Sequence, residues 1–90
     1  AARINPNDDQ AHYELGYLHL LQNRFQEAYQ EFVTVTRLNP DDYQAFGNLG
    51  YICLKAGRRE EARTFFETAL RLNPDDEVAR RNLGLLKTAR

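Results

Sequence analysis

The sequence predicts an all-α chain: two helix-turn-helix units of 34 residues, stacked as a solenoid, and one further helix. Three observations predict it. Asn5-Pro6-Asn7-Asp8 returns as Asn39-Pro40-Asp41-Asp42 and as Asn73-Pro74-Asp75-Asp76, and residues 9–42 match residues 43–76 at 17 of 34 positions without a gap. Apolar residues fall at helical spacing, and no stretch alternates as a strand would. The interruptions carry Asn, Gly and Pro, which end helices. A period of this length marks units that bury their apolar faces against each other, so the question becomes which partner, not which reaction.

Residues 1–8 come first. Ala1-Ala2-Arg3-Ile4-Asn5-Pro6 aligns with Ala69-Leu70-Arg71-Leu72-Asn73-Pro74, the end of a helix. These residues are expected to be the tail of a preceding helix or a linker, with a longer array or another domain before them.

The first unit, residues 9–42, opens with Ala11, Leu15, Leu18, His19 and Leu20 at helical spacing. A break at Gln22-Asn23-Arg24 follows, then Phe25, Ala28, Phe32, Val35 and Leu38. The second unit, residues 43–76, repeats this with Ala45, Leu49, Ile52 and Cys53, a break at Ala56-Gly57-Arg58, and Ala62, Phe66, Ala69 and Leu72. Gly57 and its counterpart Asn23 are the residue types that accept the left-handed conformation ending a helix. Asn39-Pro40 and Asn73-Pro74 end the second helices, because proline drives the residue before it out of helical geometry. The aspartates that follow are expected to cap the next helix. Gly16, Gly50 and Gly84 recur in register; glycine inside a helix costs about 1 kcal/mol against alanine, so close approach of a neighbouring helix is expected at all three. Residues 77–90 restart a first helix with Asn82-Leu83-Gly84. Arg80 and Lys87 take the places of His12/Phe46 and His19/Cys53, where a covering helix would make charge costly. This helix is expected to be a solvated cap that closes the array near Arg90.

Composition excludes several classes. At 42% hydrophobic and 28% charged residues the chain is not disordered, and a net charge of −1 gives no general pull toward nucleic acid or membranes. The charge is polarised: residues 1–45 carry 3 basic and 7 acidic side chains, residues 46–90 carry 9 and 6. One cysteine, Cys53, excludes an internal disulfide. No apolar run approaches the roughly 20 residues that span a bilayer. No signal peptide is present, and Ala1 is compatible with a leader removed upstream. The compartment stays open, with the cytoplasm placed before the periplasm and a membrane-anchored parent protein.

The chain resembles the tetratricopeptide repeat family. Leu15-Gly16, Ala28, Phe32 and Pro40, then Leu49-Gly50, Ala62, Phe66, Ala69 and Pro74, follow its pattern over essentially the whole length. His12 and Phe46 stand where the family often has tryptophan, and His19 and Cys53 where it favours tyrosine. The resemblance implies a non-catalytic protein–protein interaction scaffold whose first helices line a concave groove. Carried over by position, the groove residues are Gln10, Tyr13, Glu14 and Tyr17 in the first helix. Gln44, Gly47, Asn48, Tyr51 and Lys55 follow in the third, and Val78, Arg81, Asn82 and Leu85 in the fifth. Tyrosines with Lys55 and Arg81 at the far end would suit a peptide with apolar anchors and an acidic group. The competing reading places Tyr17 and Tyr51 between packed helices. Some members clamp the C-terminal carboxylate of heat-shock chaperones; only Asn48 fits that set, since Tyr13, Tyr17, Val78 and Asn82 replace the others, so this partner is not expected. The alternative role is structural: self-association, or docking of a neighbouring domain. A third places the chain as the targeting arm of a larger enzyme.

Chemistry within the chain is not expected. His12 and His19 lie two helical turns apart, about 10 Å, too far to share one metal. His19 and Cys53 find no third ligand in the sequence. The recurring aspartate pairs read as caps rather than catalytic carboxylates. No phosphate loop, nucleophile–base set or cofactor motif is present. Arg58, Arg59 and Arg63 form a basic patch interspersed with Glu60 and Glu61, a solvated face before it is a nucleic-acid site.

Overall fold

The computed structural model describes residues 8–88, so the expected helix tail at residues 1–6 lies outside the described residues. Five helices follow one another: α1 (Asp9–Leu21), α2 (Phe25–Leu38), α3 (Tyr43–Lys55), α4 (Arg59–Leu72) and α5 (Glu77–Thr88). No strand occurs among the described residues.

The turns follow the repeat closely. Asn23 and Gly57 take φ of 60° and 77°. The chain then folds back so that the Arg24 and Arg58 amides donate to the His19 and Cys53 carbonyls, each at 2.8 Å, and the Asn23 and Gly57 amides to Leu20 and Leu54. This paired closure satisfies the carbonyls that the ends of α1 and α3 leave open. Between units, the Asn39 and Asn73 side chains accept from the Asp41 and Asp75 amides. Of the pairs Asp41-Asp42 and Asp75-Asp76 only the second member caps: Asp42 accepts from the Ala45 amide, and Asp76 from Val78 and Ala79. Asp8 does the same for Gln10 and Ala11.

α1 packs on α2 and α3 on α4 as hairpins, with α2 against α3 and α4 against α5 joining the layers. One core is built twice. Ala28, Phe32, Val35, Ala45, Leu49 and Ile52 bury together, and their counterparts Ala62, Phe66, Ala69, Ala79, Leu83 and Leu86 do so one repeat later with Cys53. Tyr29, Phe46 and Phe65, partly buried, touch both cores.

The glycine expectation needs correction in part. A β-carbon on Gly16 would stand 3.0 Å from the Phe32 ring, and one on Gly50 2.8 Å from Phe66. The close neighbour is thus an aromatic side chain from the second helix of the same unit. A β-carbon on Gly84 would meet nothing within 4 Å, so the close approach expected there is not found. Arg80 and Lys87 are exposed, and Arg80 donates from its guanidinium to the Pro74 carbonyl at 2.6 Å. The equivalent His12 pairs through Nδ1 with Glu31 Oε1 at 2.7 Å, whereas Phe46 lies against Phe65 at 6.4 Å. One repeat position therefore holds a polar pair in the first unit and an aromatic pair in the second.

Candidate binding groove

α1, α3 and α5 share one side of the stack, and between them runs a cleft of about 710 Å³. Helical geometry explains its wall. Tyr13 and Tyr17 are one turn apart on α1, hence on one face, and Tyr51 repeats Tyr17 on α3. Tyr17 is 50% and Tyr51 39% exposed, so these rings form a surface rather than filling the space between helices.

Tyr13 is half scaffold. Its ring meets Phe32 edge-on at 5.4 Å, and its hydroxyl oxygen accepts from Asn48 Nδ2 at 3.2 Å. Burial pushes its phenol pKa above the ordinary value, and the Asn48 hydrogen bond pulls the other way. A hydroxyl keeps its proton to donate after accepting, and Asn48 keeps its carbonyl oxygen. The pair therefore keeps the Tyr13 hydroxyl proton and the second Asn48 amide proton as donors and the Asn48 carbonyl oxygen as an acceptor, groups that can serve both ends of a peptide unit. Gly47 lines the same cleft, and a β-carbon there would meet nothing within 4 Å.

Of the residues carried over from the resemblance, the cleft brings together Tyr13, Tyr17, Gln44, Gly47, Asn48, Tyr51, Val78 and Asn82. Gln10, Glu14, Lys55, Arg81 and Leu85 are exposed but do not line it. The Lys55 ammonium lies over the Tyr51 ring, 5.6 Å from its centroid. The cleft also takes in residues that sequence reasoning passed over: Leu20, Leu21, Tyr43, Asn73, Asp75, Asp76 and Glu77. Asn73, Asp75 and Asp76 lie in the turn before α5, where the sequence reads as a helix end and a cap. The charged lining is accordingly acidic, whereas the expectation had been basic.

A second hollow of about 570 Å³ lies between Phe25, Tyr29 and Gln30 on one side and Ile52, Cys53 and Arg58 on the other. Cys53 is 2% exposed, and burial pushes its thiol pKa up, with Glu61 adding to the rise and Arg58 opposing it. A protonated, buried thiol is a poor nucleophile and a poor metal ligand. No group of three His, Cys, Asp or Glu side chains able to hold a metal occurs among the described residues. His19 Nδ1 is buried without a hydrogen-bond partner. In the basic patch, Arg58 pairs with Glu61 at 3.6 Å and Arg59 donates to the Leu86 carbonyl at 3.2 Å. No helix among the described residues is long and apolar enough to cross a membrane.

Comparison with known proteins agrees with this fold. Two family models described as tetratricopeptide repeat match, one over residues 19–86 and one over residues 1–34. No curated protein matches in sequence. Among solved structures, YrrB, described as a TPR protein with an unusual peptide-binding site, superposes with a TM-score of 0.86 at 28% identity, over 90% of this chain. The chain spans 42% of the YrrB chain. The TPR domain of Arabidopsis OM64 superposes with a TM-score of 0.90 at 21% identity, over 96% of this chain and 71% of that one.

Proposed function

The chain belongs to the tetratricopeptide repeat family, whose fold supports protein–protein interaction, and from that premise we propose that it is a non-catalytic module holding an extended partner segment in the cleft between α1, α3 and α5. The observation that carries this reading is the wall itself. Tyr17 and Tyr51 stand open to solvent beside a polar pair, Tyr13 and Asn48, whose remaining donors and acceptor can serve a peptide unit. Large amphipathic rings around a few fixed polar groups are the composition of binding anchors. The description of YrrB as having a peptide-binding site agrees with it.

Gly47 provides the test, because it lines the cleft and a β-carbon there would meet nothing within 4 Å. Dodecapeptides selected from a random displayed library on the wild-type protein should lose at least tenfold in affinity on Gly47→Tyr. They should keep it on Gln30→Ala, at the second hollow. Equal binding to Gly47→Tyr would place the interaction elsewhere and reject the groove.

A second reading is favoured by Leu18, which is 53% exposed where its counterparts Ile52 and Leu86 are 4% and 5% exposed. In α3 and α5 that face packs on the preceding helix, so α1 offers it for assembly with a second copy or a neighbouring domain. Sedimentation at rising concentration checks the self-association form. A dimer dispersed by Leu18→Glu supports it, and a monomer throughout removes it.

A further inference from the structure

We propose that the segment held in the cleft is cationic: an extended peptide whose arginine or lysine side chain enters beside the tyrosines, at the end formed by the α4–α5 turn. The proposal rests on the groove reading above and gives its partner a chemistry.

Every charged side chain lining the cleft is acidic: Asp75, Asp76 and Glu77. Asp76 is partly spent, since its Oδ1 caps α5. Asp75 and Glu77 are exposed and pair with no basic side chain among the described residues. Acidic residues suit any helix start, so their presence at the start of α5 is not by itself informative. The informative comparison is with the equivalent turn one repeat earlier. There Tyr43 occupies the place of Glu77, and both line the cleft. Successive copies of one position thus give the groove an aromatic ring and then a carboxylate. A guanidinium uses both, stacking its plane on a ring and donating in a fork to the acid.

The rings already show this chemistry. The Tyr51 face takes the Lys55 ammonium at 5.6 Å, the distance at which a cation is drawn to the negative face of a ring. A cleft with one sign of charge and poorly polarisable walls also focuses its field, which raises encounter rates for the opposite charge. An acidic group on the partner, as the sequence pattern implied, would meet carboxylates here instead of Lys55 and Arg81.

The two chemistries give opposite signs in one experiment. Dodecapeptides selected from a random displayed library on the wild-type protein are sequenced. The best are titrated against Asp75→Asn with Glu77→Gln, against Lys55→Gln, and against Gly47→Tyr. The expected result is a library enriched in Arg and Lys, with about tenfold weaker binding to the Asp75/Glu77 variant. Binding to Lys55→Gln should be unchanged or tighter, and added salt should weaken the wild-type complex. Peptides that Gly47→Tyr blocks but that are neutral or acidic, or that ignore Asp75→Asn with Glu77→Gln, overturn the cationic partner and leave the groove standing. Peptides indifferent to Gly47→Tyr, or no enrichment at all, overturn both. The substituted acids are exposed and cap no helix, and unchanged thermal unfolding of each variant confirms that the fold is retained.

Discussion

The Phe66 ring lies 2.8 Å from where a β-carbon on Gly50 would stand, the tightest such approach in the chain. The ring fills the hollow that glycine leaves on α3, and it is fully buried. Repeat register and core packing meet at this one pair.

Gly50→Ala should therefore destabilise the protein by about 1–3 kcal/mol, the range for overpacking a filled core, despite a helix preference of about 1 kcal/mol in favour of alanine. Gly84→Ala, whose β-carbon would meet nothing within 4 Å, should stabilise by up to about 1 kcal/mol. Urea unfolding of the two variants gives the signs. Equal effects would mean that the Phe66 ring moves aside.

The same substitution at two open glycines should also differ in sign. A β-carbon added at Gly47 or at Gly57 would meet no atom within 4 Å, but Gly57 has φ of 77°. Gly47→Ala should gain about 0.5–1 kcal/mol by helix propensity. Gly57→Ala should lose about 1 kcal/mol, because an L-residue is disfavoured in the left-handed region. Thermal melts separate them.

Within each aspartate pair the first and second members should be unequal. Asp42→Ala removes the acceptor of the Ala45 amide and should cost about 1 kcal/mol. Asp41→Ala leaves the turn bond from the Asp41 amide to Asn39 in place and should change stability by less than about 0.5 kcal/mol. Chemical unfolding of both variants checks the ranking; a larger loss at Asp41 would contradict the cap.

Cys53 should resist thiol reagents in the native protein and react on unfolding, since it is buried and its thiol pKa is raised by that burial. The sign for stability follows from the same shift. The folded state holds the proton more tightly, so this contribution is complete below the unfolded thiol pKa. It is lost as pH rises through the folded value. Cys53→Ala should flatten the decline in stability above about pH 9, against the ordinary thiol value near 8.5. An unchanged alkaline limb would assign that decline to other groups.

Much of the fold was legible because repetition reads each element twice. Asn23 and Gly57 marked the two tight turns, and Asn39-Pro40 with Asn73-Pro74 marked the unit boundaries. The helices fall within those marks. The lining of the cleft was legible for Gly47 and Tyr51, one turn apart on α3, and for Tyr17, the counterpart of Tyr51 one repeat earlier. It was not legible for Asp75 and Glu77, because a residue in a turn has no face until the helices on either side are packed. Gly84 misled for a related reason. Its register with Gly16 and Gly50 is a property of the sequence, whereas the ring that would fill it is a property of a neighbour.

The sequence by itself determined the period, the helices and the family, because local hydrogen bonding and apolar spacing are short-range and occur twice along the chain. Tertiary structure alone decided which tyrosines stand open and that the charged wall of the cleft is acidic. Those outcomes depend on how far apart the layers stand and on which turn faces the groove. Both are set by contacts such as Phe66 against Gly50, between residues 16 apart in the chain.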